Sequence, residues 1–321
     1  MSEATPPPAS AKKADKRTVK TAQRPLWHPA CWPSWFGLAL LWLLARLPPP
    51  LLNVIGRRLG PLIWTLGGSR RRIARRNLEL CFPDMAETER NRLWRAQGHN
   101  LGRMLTEFAL AWMGSHRAID RIKVSYSGLE HLQDAAKAGR GVILVGGHFS
   151  HLELCGRLLT RRIELAGMYR EHHDPTFEWG ILRSRLRYAC AMFRRDELRQ
   201  TLRYLKRGGV LWYAPDQDYK RGEQVFAPFF GVPASTLTAT HQLARLSGAA
   251  VMGFFHRRRE DGSYEIRIAP ALEQFPSKDA AADTARINRM LEQMVLEAPA
   301  QYLWVHQRFK ARPAGEASLY R

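Results

Sequence analysis

The stretch GVILVGGHFSHLELCG, residues 141–156, sets a histidine beside an apolar run and a carboxylate five positions further on. Gly141 to Val145 reads as a buried strand, with Gly146 and Gly147 at its exit. His148 then follows the strand's C-terminal end, where open α/β sheets place their sites. Ser150 or His151 falls in the first turn of a following helix, whose free N–H groups and dipole favour anions. Glu153, about one turn in, is expected to fold back toward the imidazole of His148. A carboxylate on one ring nitrogen leaves the other as a base for an alcohol. No G-x-S-x-G elbow occurs, so an acyl-enzyme is not expected. The HxxxxE spacing alone recurs by chance, and His151, three residues on, competes for the role of base.

Two further groups could act with this pair. LRSRLR (182–187) offers Arg183, Arg185 and Arg187, which could equally line a solvated helix face. YAPDQDY (213–219) places Asp216 and Asp218 after another apolar run, again at a strand's C-terminal edge. Asp216 would anchor Arg185 or bind an acceptor hydroxyl, although Pro-Asp also suits a simple turn.

The elements that must position these residues are legible as alternation. Strand-like runs at 121–127, 141–147, 163–169, 209–215 and 249–257 interleave with helical patterns near 150–162, 175–188, 196–207 and 236–247. A last helix is expected near 280–297, and an amphipathic pattern (Leu93, Leu101, Met104, Leu105, Phe108, Trp112) predicts a long helix over 87–113. The fold class is α/β, with a mostly parallel sheet flanked by helices.

Upstream lies a different composition. Residues 1–25 are rich in Pro, Ala, Lys and Arg, have almost nothing to bury, and read as a disordered basic tail without a signal peptide's apolar core. Residues 26–66 read as a membrane-anchoring apolar segment. Trp32 to Ala45 carries no charge, and Trp27, Trp32, Trp35 and Trp42 suit a water–lipid interface. That run is shorter than the ~20 residues a spanning helix needs, so spanning and lying in the interface both stay open, as does an apolar arm packed on the domain. Five arginines between Arg70 and Arg76 suit lipid headgroups, each worth about 1 kcal/mol near an anionic surface.

The bulk charge points the same way. Fifty Lys+Arg against 29 Asp+Glu give +21, which calls for an anionic partner: nucleic acid, an anionic membrane or a phosphorylated substrate. Cys31, Cys81, Cys155 and Cys190 are widely spaced with no CxxC pair, and read as reduced thiols rather than a disulfide framework or zinc site.

Several long stretches carry a resemblance: RRNLELCFPD (75–84), GVILVGGHFSHLEL, GMYREHHDP with LRSRLR, GGVLWYAPDQDY (208–219), VFAPFFGVPAST (225–236), ARLSGAAVMGFF and QYLWVHQRFKARPAG. Over roughly residues 30–316 the chain resembles the lipid A biosynthesis acyltransferases of Gram-negative bacteria, and among them the lauroyl-type late acyltransferases. The resemblance implies a fold like that of the glycerol-phosphate acyltransferases, in one acyltransferase domain over 67–316. It implies transfer of a fatty acyl chain, lauroyl before others, from acyl carrier protein to a hydroxyacyl chain of the Kdo-bearing lipid A precursor. His148 would be the general base, Glu153 its partner, and Arg185 a group for the oxyanion or a lipid phosphate. No metal or other cofactor is expected. The implied location is the cell inner membrane, its anionic lipid a partner and the catalytic domain facing the cytoplasm. Other readings are a different chain length (myristoyl or palmitoleoyl), a different glycolipid or lysophospholipid acceptor, or a basic membrane-surface or nucleic-acid-binding protein. No nucleic-acid motif accompanies the charge, so nucleic acid is not the expected partner.

Overall fold

The computed structural model describes residues 25–218 and 222–320, so the basic tail expected over 1–25 lies, but for Pro25, outside the described residues. The helices are α1 (Trp32–Leu44), α2 (Pro49–Leu66), α3 (Gly68–Cys81), α4 (Glu87–Met113), α5 (His116–Asp120), α6 (Leu129–Lys137), α7 (Leu152–Leu159), α8 (Pro175–Arg185), α9 (Leu198–Lys206), α10 (Ala239–Ser247) and α11 (Ala280–Glu297). The strands are β1 (Val124–Ser127), β2 (Val142–Val145), β3 (Ala166–Tyr169), β4 (Ala191–Arg194), β5 (Val210–Tyr213), β6 (Gln224–Phe229), β7 (Val232–Leu237), β8 (Ala250–Arg258) and β9 (Tyr264–Ala271).

Seven strands form one sheet in the order β1-β9-β8-β2-β5-β3-β4, while β6 and β7 form a separate antiparallel hairpin. β8, β2, β5, β3 and β4 run parallel. β9 turns back antiparallel to β8, and β1 is parallel to β9. The mostly parallel sheet flanked by helices is therefore the observed architecture.

Period-two alternation explains why β2 sits at its centre. Ile143 and Val145 enter the apolar core on one face; Val142 and Leu144 enter the core on the other. All four are buried, each worth ~1.5–3 kcal/mol relative to exposure. Several elements had no sequence expectation. β4 is a four-residue, half-buried edge strand, and the β6–β7 hairpin turns at Phe230-Gly231, both with positive φ. β9 and α6 are others, although Tyr264, Ile266 and Ile268 do alternate inward along β9.

The apolar segment 26–66 packs on the body by one face. Ser34 donates to Asp174 at 2.8 Å, and the Trp35 and Trp179 rings lie 5.3 Å apart, seating α1 on α8. α2 meets α4 through glycines: a Cβ on Gly102 would lie 2.1 Å from the carbonyl oxygen of Gly56 and 2.6 Å from Cα of Gly60. That approach is available only without side chains. On the outer face Trp27, Trp32, Phe36, Leu43 and Leu66 are exposed. Among the described residues no helix is long and apolar enough to cross a membrane.

The arginine cluster is also partly intramolecular. Arg70 donates to the Val305 carbonyl and Arg76 to that of Leu319, both at 3.0 Å, while Arg71 and Arg75 lie over the Trp94 ring. Asn77 bonds the carbonyls of Trp304 and His306 at 2.6 and 2.7 Å. α3 thus holds the C-terminal segment against the sheet.

Candidate active site

The site is assembled by the register of two parallel neighbours. Val145 of β2 pairs with Tyr213 of β5, and three residues beyond each stand His148 and Asp216. Both backbones leave the sheet at the same edge and in step, so the two side chains meet. Asp216 Oδ1 lies 2.5 Å from His148 Nδ1, and its Oδ2 accepts from the His148 main-chain N–H at 2.7 Å. The imidazole is thereby gripped at both its ring and its backbone.

Asp216 is fully buried, which by itself would raise its pKa. The charge of His148 and the hydrogen bonds from its ring and backbone overcome that and hold the carboxyl down to about 2. The Tyr302 hydroxyl also reaches Asp216; burial, then the carboxylate's charge, push that phenol well up, so it stays neutral. An ionised, buried Asp216 fixes the proton on Nδ1 of His148 and leaves Nε2 to accept one.

The C-terminal segment covers the dyad. Phe149 bridges to Tyr302, Leu303 N–H donates to the His148 carbonyl, and Ser150 N–H donates to that of Gln301, both at 2.9 Å. This brings the His306 ring to 5.8 Å from that of His148. Burial, with the neighbouring charge of His148, lowers the His306 pKa to about 4, so it stands beside the dyad as a neutral ring. Trp212 packs on another side of His148, its ring centroid 6.4 Å away.

The expected pairing of His148 with Glu153 is replaced by this contact. α7 begins only at Leu152, with His151 as its N-cap, and its first turn faces α4 and α8. There Glu153 Oε2 accepts from Trp112 Nε1 at 2.9 Å and from Arg185 Nε at 3.1 Å, and Oε1 accepts from Arg185 Nη2. Arg157 anchors this corner by donating to the carbonyls of Leu110, Ala111 and Gly114, each at 2.9 Å. It thereby satisfies the open end of α4 beside Trp112. Burial would raise the Glu153 pKa, but Arg185 and Trp112 lower it. Burial would likewise lower that of Arg185, and Glu153 raises it instead. The site therefore holds a hydrogen-bonded dyad, His148–Asp216, and an ion pair, Glu153–Arg185. The anchoring of Arg185 expected of Asp216 falls to Glu153.

His151 points away from the dyad and is buried, as are Cys155 and His256. Asp218 accepts from the Ala311 N–H at 2.6 Å, fastening the C-terminal segment. Trp112, Tyr302 and His306 were not expected at the site, because nothing local marks residues that reach it from α4 or from the chain's last stretch.

An apolar cavity adjoins the Glu153–Arg185 pair and is lined by Leu152, Gly156, Leu165, Met168, Met192 and Trp212, with Glu153 and Arg185 also on its wall. A wider cleft at the C-terminal edge of β3, β4 and β5 is lined by Tyr169, Arg170, His173, Arg194, Arg195 and Tyr213, together with Glu171, Asp196, Asp218 and Glu223.

A family model for the bacterial lipid A biosynthesis acyltransferases matches residues 19–311. The chain belongs to this family. It is an acyltransferase of lipid A biosynthesis, and the family implies a lipid A precursor as substrate. The chain is 41% identical to the lipid A biosynthesis palmitoleoyltransferase of Escherichia coli K12 over 91% of its own length and 96% of the relative's. It is 39% identical to the lauroyltransferase of the same organism, over 92% and 97%. The myristoyltransferase is 27% identical over 97% of both chains. Among solved structures, the 1-acyl-sn-glycerophosphate acyltransferase of Thermotoga maritima aligns with a TM-score of 0.37 and 16% identity, over 78% of this chain and 96% of that one. A likeness at that level carries no argument.

Proposed function

We propose that this lipid A acyltransferase moves an acyl chain, lauroyl in our reading, from acyl carrier protein to a hydroxyl of a hydroxyacyl chain on the Kdo-bearing lipid A precursor. The observation that supports the mechanism best is the imidazole of His148, partly open to solvent while its Nδ1 is held by buried Asp216. Nε2 of His148 takes the acceptor's hydroxyl proton as the oxygen attacks the thioester carbon. A tetrahedral oxyanion forms, the carbon–sulfur bond breaks, and the same proton passes to the departing thiolate. Arg185, whose Nε and Nη2 serve Glu153, keeps the donors on Nη1 for the oxyanion or a lipid phosphate. One preorganised donor of that kind is worth ~3–4 kcal/mol.

Substrate classes follow from the surroundings. The apolar cavity beside Arg185 takes hydrocarbon, because aliphatic and aromatic side chains make up most of its wall. The wider cleft, with three arginines and four carboxylates on its wall, suits a polar headgroup, and the net charge of +21 draws in an acidic carrier protein. The exposed apolar face of α1 and α2 rests in the interfacial layer of an anionic membrane, the inner membrane with the site toward the cytoplasm, without crossing it.

The test is mass-spectrometric transfer onto a tetraacylated Kdo-bearing precursor from carrier protein charged with mixed chains. A single added acyl mass is expected, absent with His148→Ala; turnover retained by that variant would overturn the assignment of the base. No transfer to this precursor, with transfer to a lysophospholipid, would overturn the acceptor.

Two outcomes bear on the cavity and the membrane face. A Cβ on Gly156 meets nothing within 4 Å, so Gly156→Leu should fill the cavity without disturbing α7. The longest accepted chain is expected to shorten, each excess methylene costing roughly tenfold or more in kcat/KM. An unchanged chain profile would remove the acyl group from this cavity. Phe36 and Leu43 are 74% and 57% exposed. The double change to Glu should cut vesicle binding by roughly 10²–10⁴-fold, from about 1.5–3 kcal/mol lost per side chain, as read by flotation. Undiminished flotation would refute the interfacial role of α1.

A further inference from the structure

Behind the dyad lies a second polar cluster that the acyl-transfer chemistry does not use. His151, the N-cap of α7, and Cys155, one turn later, share a face of the helix and look across at His256 on β8. All three side chains are fully buried. The two imidazoles stand perpendicular, with centroids 4.8 Å apart. One nitrogen from each ring and the Cys155 sulfur all lie within 4.8 Å of one another. Among the described residues no other group of His, Cys, Asp and Glu side chains is brought together in this way.

The second observation is His256 itself. Neither of its ring nitrogens has a hydrogen-bond partner, although both are sealed from solvent. A buried imidazole with both nitrogens unmet is costly, and such groups in native proteins call for an explanation. His151 is different: its Nε2 lies 3.2 Å from the main-chain oxygen of His256. Donation of a ring N–H to a backbone carbonyl is the support that metal-binding histidines almost always have, fixing tautomer and orientation.

We propose that His151, Cys155 and His256 form a binding site for a thiophilic metal ion, with Cu(I) the best fit. Two imidazole nitrogens and one thiolate are soft donors, and no carboxylate joins them, which disfavours magnesium and calcium. Three donors suit a trigonal ion, whereas a structural zinc site takes four. Charge selects further. One thiolate neutralises a monovalent ion, while a divalent one would leave a net positive charge close to Arg258, itself buried with Glu107. Metal–ligand distances of ~2.0–2.3 Å imply ligand atoms roughly 3.6–3.8 Å apart. Binding therefore needs an inward shift of about 1 Å, within reach of side-chain rotation. Each ring offers one nitrogen: those of His256 have no partner, and Nδ1 of His151 lies 3.4 Å from Ser150 Oγ, a contact the ion would replace. Burial keeps the Cys155 thiol protonated in the empty site. On binding, the S–H bond breaks, the S–Cu bond forms, and one proton leaves to solvent. The ion would pin the start of α7 to β8, three residues after His148.

The test is an anaerobic titration of the purified full chain with Cu(I) against a colorimetric Cu(I) chelator, and in parallel with Zn2+. Cys190→Ser serves as background, since Cys190 is the one exposed free cysteine among the described residues. One equivalent of Cu(I) should be retained, with one proton released and a raised melting temperature. His256→Phe and Cys155→Ala should each lose it. His256→Phe also replaces the unmet nitrogens with apolar surface, so it should fold at least as stably without metal, which separates lost binding from lost structure. Retention of the equivalent by a well-folded His256→Phe, or none above background in the Cys190→Ser chain, would overturn the site. Tighter binding of Zn2+ through the same three residues would overturn the assignment of the ion.

Discussion

Asp216→Asn should lower turnover by roughly 10²–10⁴-fold, the range typical of losing positioned acid–base catalysis. The reason is geometric. Asp216 grips His148 at Nδ1 and at its main-chain N–H, and no other carboxylate bonds that ring among the described residues. An asparagine keeps the shape but allows the ring the wrong tautomer, with Nε2 carrying the proton it should accept. The double variant with His148→Ala should be little worse than His148→Ala alone, because the two residues act as one unit. Transfer assays read the loss, and near-normal turnover by Asp216→Asn would return the partner's role to Glu153.

The same residue predicts an acid limb in stability. Its pKa is depressed to about 2 in the folded chain, against ~3.9 when unfolded. A depressed carboxyl contributes stability above its unfolded pKa and loses it as pH falls through the folded one. Asp216→Asn should therefore show a smaller loss of stability than the parent between about pH 4 and pH 2. Denaturant unfolding at a series of pH values measures the difference; equal losses would mean that His148 does not hold this carboxylate.

Glu153→Ala should cost about 3–5 kcal/mol of stability, the penalty for stranding a buried partner's charge. Arg185 would be that stranded group, since its carboxylate partner is Glu153. This outcome separates the observed pairing from the one expected from sequence, in which Glu153 serves His148 and its loss would touch turnover alone. Glu153→Leu combined with Arg185→Met should recover most of the stability, since a buried pair is often replaced by apolar residues without loss. It should not recover turnover, because Arg185 itself would be gone. Full activity in that double variant would exclude Arg185 from the chemistry.

The position of His148 was legible because an apolar run, two glycines and a histidine mark the end of a buried strand. Its partner was not, since Asp216 lies 68 residues away and joins it only through the pairing of β2 with β5. The clue was nonetheless present: GVILVGGH and GVLWYAPD place their polar residue equally far beyond matching apolar runs. Glu153 misled because spacing gives distance along a helix but not the helix's start, and α7 starts late enough to turn this carboxylate toward Trp112 and Arg185. Neither helix of the apolar segment has the length and apolarity of a membrane span. α1 has 13 residues, and α2, although 18 long, carries Arg57, Arg58 and Pro61. That Arg70 and Arg76 also donate to the carbonyls of Val305 and Leu319 is not legible in sequence, because those acceptors lie 235 and 243 residues further along.

The cover over the dyad has a consequence during synthesis. Gln217, next to Asp216, touches His306, 89 residues further along. At ~5–20 residues per second, roughly 4–18 s separate the emergence of the dyad from that of the segment that closes over it. A nascent chain thus passes through an interval in which the histidine and aspartate exist but Tyr302 and His306 do not.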